Sequence, residues 1–154
     1  MSVMEKELYY FLANKMDSEE GGPIDYNNMF VWNIKFDGPK NSDYEGGRFS
    51  VNINFPTDYP NSRPDCKFLN DVFHPNIDDD GKVCFGSFSW QNNFTILDLL
   101  NSLYFNFTVS FYYLLKYPNF GDGYNNKQVA EFYKANPEEY HNVVRDLVKE
   151  FHKP

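Results

Sequence analysis

Between Phe73 and Phe85 the sequence reads FHPNIDDDGKVCF, a stretch dense in groups that do polar or nucleophilic chemistry. An imidazole (His74), a primary amide (Asn76) and three consecutive carboxylates (Asp78 to Asp80) lead through Gly81 to a thiol, Cys84. Three uses compete for it. Counted from Asn76, the residues Asp78, Asp80 and Gly81 fall where a calcium loop has its third, fifth and sixth positions. The twelfth position is Ser87 where such a loop needs a bidentate glutamate, and His74-Pro75 interrupts an entering helix, so no metal is expected. As plain structure, the acids form a solvated turn and Cys84 is a small buried hydrophobe. As a nucleophile, Cys84 has no base beside it in sequence. Lys82 is the nearest cation, and the aspartates oppose thiolate formation. The histidines are His74, His141 and His152, and neither CxxC nor HExxH spacing occurs. A zinc site and a Cys–His protease pair therefore lack support. On residue types alone, the structural turn with a packed cysteine is the favoured reading.

The surrounding sequence specifies the elements that would hold it. Met4, Leu8, Phe11 and Leu12 recur at helical spacing, and Asp17 to Pro23 breaks that helix. Phe30 to Phe36 reads as a strand closed by the turn Asp37-Gly38-Pro39. Phe49, Val51, Ile53 and Phe55 alternate with polar residues in the period of a half-buried strand, and Cys66 to Leu69 gives a third. Tyr44-Glu45-Gly46-Gly47 supplies a tight turn between the first two. Beyond Cys84 the period changes. Ile96, Leu99, Leu100, Leu103, Phe107 and Phe111 share one helical face, stopped by Pro118 and the loop Asn119 to Asn125. Val129, Phe132 and Tyr133 mark a short helix. Asn136 then caps a last one, with Pro137 at its first position and a stripe of Tyr140, Val144, Leu147 and Phe151. Helix, meander, long irregular segment and helices make an α+β domain, expected to be one unit over residues 1–154.

Bulk properties exclude several classes. The net charge is −8, with no basic block interleaved with aromatics, so nucleic acid is not an expected partner. No apolar run reaches membrane-spanning length, and the first residues lack a secretory pattern. Cys66 and Cys84 are then expected to be reduced, in the cytoplasm or nucleus.

One ordered set of strings decides more. His74-Pro75-Asn76-Ile77 with Gly81, Val83 and Cys84 resembles the active-site signature of the ubiquitin-conjugating enzymes, including the spacing from that asparagine to the cysteine. The likeness extends in order through Trp32 to Pro39, Tyr44 to Gly47, Phe55-Pro56 with Asp58-Tyr59-Pro60, and Trp90. It continues through Tyr117-Pro118-Asn119, Asp122 and Asn136 to Tyr140. The last of these strings lean slightly towards the histone-modifying subgroup.

This resemblance implies a four-stranded antiparallel meander behind an N-terminal helix, with a long active-site segment and C-terminal helices. It also implies a transferase that needs neither metal nor organic cofactor. Cys84 would accept ubiquitin as a thioester from an activating enzyme in an ATP-dependent pathway, then pass it to a lysine of a protein substrate with a ubiquitin ligase. Asn76 would stabilise the oxyanion, and Asp122 would orient the incoming lysine. His74 and Pro75 would lock the loop, while Trp90 and Tyr124 would support or gate the site. A carrier of a ubiquitin-like protein, or a non-catalytic binder of ubiquitin or a partner enzyme, is the alternative. Some positions depart from the family pattern: Phe85-Gly86-Ser87-Phe88 follow the cysteine, and Gly123 stands in place of a proline. The Trp90-to-Pro118 interval is longer than usual, through extra helical turns or a bulge near Phe105 to Ser110.

Overall fold

The computed structural model describes residues 1–83, 89–103 and 127–151, with the backbone alone for Lys127 and Phe151. Helix α1 (Val3–Asn14) precedes strands β1 (Glu20–Asp25), β2 (Asn28–Asp37), β3 (Arg48–Asn54) and β4 (Asp65–Phe68). Helix α2 occupies 96–103 within the described residues, followed by α3 (Lys127–Ala135) and α4 (Pro137–Phe151). The strands form one antiparallel sheet in chain order, the α+β meander expected above. Among the described residues, no helix is long and apolar enough to cross a membrane.

Alternation places the core. Trp32, Ile34 and Phe36 of β2, Phe49, Val51 and Ile53 of β3, and Cys66 and Phe68 of β4 all face inward and are buried. Phe11 of α1 meets Trp32 edge-on at 6.0 Å, and Ile96, Leu99, Leu100 and Leu103 of α2 join the same apolar cluster. Phe107 and Phe111, expected to extend that stripe, lie outside the described residues, as do Phe105 to Ser110. On α4 the buried stripe is Tyr140, Val144 and Val148, with Leu147 half-buried beside it.

One strand escaped the sequence reading. Glu20–Asp25 spans part of the segment read only as a helix break, because Gly21-Gly22-Pro23 has no strand periodicity. The sheet tolerates these residues at its edge: β1 pairs with β2 alone and bulges between Pro23 and Asp25. A Cβ on Gly21 would lie 2.0 Å from the Asn33 carbonyl oxygen, so this close pairing admits only glycine.

The buried face of α1 also differs from the expected stripe. Ser2 caps it, accepting the Glu5 N–H at 3.1 Å. Met4 and Phe11 are buried as expected, but Leu12 is 52% exposed and Glu7 lies inside at 8%. The reason is polar. Glu7 Oε1 accepts the Ile96 N–H at 2.5 Å, satisfying an amide at the start of α2 that has no intrahelical partner. Burial raises the Glu7 pKa, partly offset by the Ile96 amide. The folded protein therefore holds this proton to higher pH than the unfolded chain does, and the stabilisation it brings is lost as pH rises through the folded pKa. Glu7→Gln, which keeps an acceptor but no charge, is expected to gain stability relative to the parent from pH 4 to pH 7. Urea unfolding at both pH values checks the sign.

Candidate active site

Strand β4 leads through Leu69–Val72 into a hairpin whose two arms hold the sequence motif. Ile77 and Val83 form an antiparallel bridge, and the Asp78 N–H donates to the Lys82 carbonyl at 3.0 Å. Asp78 Oδ1 accepts the N–H groups of both Asp80 and Lys82 at 2.9 Å, so the carboxylate closes the turn from inside. That oxygen is thereby committed to the backbone rather than to an outward ligand. Among the described residues, no group of three or more His, Cys, Asp or Glu side chains is placed to hold a metal ion.

The returning arm docks on the sheet. The Phe68 N–H donates to the Gly81 carbonyl at 2.8 Å, and the Val83 N–H to the Cys66 carbonyl at 3.2 Å. Gly81 makes this possible: its φ is +88°, and a Cβ there would meet the Phe68 carbonyl oxygen at 2.2 Å. Gly81→Ala is therefore expected to cost at least the 1–3 kcal/mol typical of left-handed backbone strain, roughly doubled if the arm lifts off β4. Chemical denaturation would measure it.

His74 and Asn76 occupy the outgoing arm and both are buried. The Asn76 N–H donates to His74 Nδ1 at 2.9 Å, so the ring proton sits on Nε2. The Ile77 N–H donates to the His74 carbonyl at 3.2 Å, tightening the same turn. Just before it, the Phe73 carbonyl accepts the Tyr44 hydroxyl at 2.7 Å and the Tyr140 hydroxyl at 3.3 Å. The two phenol oxygens are 3.1 Å apart. Beside this tyrosine pair, Asp43 engages His141 and accepts from Arg145 Nε at 3.0 Å. The loop holding Asp43 and Tyr44 is thus fastened to α4.

Trp90 Nε1 donates to the Pro60 carbonyl at 2.7 Å, and its ring meets Tyr59 at 5.8 Å and Phe94 at 5.6 Å. Among the described residues, these contacts tie it to Tyr59 and Pro60 in the connection between β3 and β4. Cys66 is a free thiol 3% exposed in the core, and burial pushes its pKa well above that of an ordinary thiol. Cys84, Asp122, Tyr124 and His152 lie outside the described residues. The structure brings His74, Pro75 and Asn76 together on one hairpin.

The sequence reading missed the roles of Tyr44 and Tyr140 towards Phe73, and the grip of His141 and Arg145 on Asp43. Each tyrosine stood within a quoted string, but nothing local pairs residues 96 positions apart.

A family model described as ubiquitin-conjugating enzyme matches residues 3–148 of this chain. Among curated proteins, ubiquitin-conjugating enzyme E2 7 and ubiquitin-conjugating enzyme E2 13 of Arabidopsis thaliana are each 38% identical over 82 residues. Probable ubiquitin-conjugating enzyme E2 7 of Caenorhabditis elegans is 37% identical over 82 residues. These alignments cover 53% of this chain and 49% to 50% of the relatives, so the chain spans about half the length of the curated relatives it matches.

Proposed function

The chain belongs to the ubiquitin-conjugating enzyme family, and on that premise we propose that residues 1–154 act as one core domain that carries ubiquitin as a thioester on Cys84. The observation that supports this reading is the hairpin. Ile77 and Val83 are bridge partners, and each is the chain neighbour of a residue assigned to the chemistry. Two Cα–Cα steps and one bridge keep the Cα atoms of Asn76 and Cys84 within about 13 Å, by connectivity alone. The spacing from asparagine to thiol is thus the length of one tight hairpin.

In the first step the Cys84 thiolate attacks the thioester carbonyl carbon of ubiquitin held on an activating enzyme. That enzyme's cysteine leaves as a thiolate, so one C–S bond replaces another. In the second step a substrate lysine, having lost a proton, attacks the same carbon. The intermediate's negative oxygen collapses, the C–S bond breaks, and Cys84 departs as a thiolate from the new amide. Asn76 donates its side-chain N–H to the negative oxygen. Asp122 orients the lysine ammonium and assists its deprotonation. His74 and Pro75 stiffen the turn, Tyr124 shapes the gate, and Trp90 supports the active-site loop. A ubiquitin ligase and a protein substrate complete the partner set, in the cytoplasm or nucleus.

Incubation with an activating enzyme, ATP and ubiquitin tests the reading on a non-reducing gel. A ubiquitin-sized adduct that disappears with reductant is expected. An adduct formed only with a ubiquitin-like protein would change the passenger. No adduct with several activating enzymes and modifiers would leave a non-catalytic binding protein.

A further inference from the structure

Asn76 can serve an oxyanion only if the hairpin holding it is fixed. A cavity of about 410 Å³ lies between the hairpin and the C-terminal helices, lined on one side by Phe73, Asp78 and Gly81 and on the other by Val129, Phe132 and Leu147. Among the described residues, the Phe73 carbonyl is a point at which distant side chains hold the outgoing arm. Tyr44 arrives from the loop between β2 and β3, and Tyr140 from the first turn of α4. Phe73 itself meets the Tyr140 ring at 5.5 Å, and Tyr44 meets the His74 ring at 5.9 Å. The rings therefore set the approach and the hydroxyls set the register.

We propose that Tyr44 and Tyr140 are positioning residues for the transfer step, their hydroxyls holding the Phe73 carbonyl and thereby the place of Asn76 on the hairpin. Both phenols are buried. Burial raises both pKa values, Tyr44 well above the ordinary range, so both hydroxyls remain donors throughout neutral and mildly alkaline pH. A carbonyl oxygen has two lone pairs and accepts both bonds. Loss of either hydroxyl leaves the ring in place and loosens the arm on the side from which Asn76 is presented. This proposal rests on the thioester reading above.

The test uses Tyr44→Phe, Tyr140→Phe and the double variant in the whole chain. Loading by activating enzyme, ATP and ubiquitin is measured first, then single-turnover discharge of the purified adduct to free lysine. Loading within about twofold of the parent is expected, with discharge about tenfold slower in the double variant and the lysine KM unchanged, as small misplacement at a reacting centre predicts. In an Asn76→Ala background the tyrosine changes should add nothing further, because they act through that amide. Equal discharge by parent and double variant, or full multiplicative loss in the Asn76→Ala background, would overturn the assignment. Failure of the parent to load would instead overturn the thioester reading. If the double variant does not fold, Tyr140→Phe, which keeps the shorter bond, makes the same comparison.

Discussion

Cys84→Ala is expected to form no adduct with ubiquitin, whereas Cys66→Ala forms it at close to the parent rate. Cys66 is unsuited to the reaction by its surroundings. Cys66 lies on β4 among Val51, Ile53 and Phe68, with burial raising its pKa and Arg63 only partly opposing that rise. A thiol that stays protonated and sealed cannot attack a thioester, since the thiolate is the nucleophile. Cys84 directly follows Val83, whose N–H donates to the Cys66 carbonyl on β4. Cys84→Ser sharpens the comparison: a hydroxyl there would give an oxyester that resists reductant, so the adduct should persist where the parent's disappears. Mass spectrometry of the intact adduct, before and after reductant, reads all three variants. An adduct retained in Cys84→Ala would place the reacting group elsewhere.

The second large effect is expected at Asn76. Asn76→Ala should slow discharge to lysine about 10²- to 10³-fold, the range for removing one oxyanion donor, while loading changes far less. The backbone bonds described at this position survive the substitution. The bond from residue 76 to His74 Nδ1 uses the backbone N–H, which alanine retains. The bridge between Ile77 and Val83 is also made without the side chain. If the amide only braced the loop, thermal stability would fall and both steps would slow together. A preserved melting temperature with a selective loss of discharge separates the two roles. Stopped-time assays of loading and discharge, beside a thermal melt, supply the comparison.

What could be read in advance follows the range of the forces involved. Phe49, Val51, Ile53 and Phe55 declared their strand because side chains alternate across a sheet, and all four are buried. Ile96 to Leu103 declared a helix for the same kind of reason. The hairpin was legible only as an acidic turn, since the bridge between Ile77 and Val83 carries no local signal of its own. Local signals failed where a partner lay far off in sequence. The inward turn of Glu7 had no local signal, because its partner, the Ile96 amide, is 89 positions away. Gly21, Gly22 and Pro23 looked like an interruption because only the sheet's open edge gives them a strand's role. Leu12 was counted as core from its position on a helical stripe, whereas the helix turns its Glu7 face inward.

The fastening of Asp43 and Tyr44 to α4 sets an order of events during synthesis. Residues 43 and 44 leave the ribosome about a hundred positions before Tyr140, His141 and Arg145, the groups that hold them. Cys84 emerges well before that closure too. A nascent chain therefore contains Cys84 before Tyr140 can reach the Phe73 carbonyl, and translation must pass residue 140 for that bond to form. Timing of this kind would keep a half-made polypeptide from acting as a carrier.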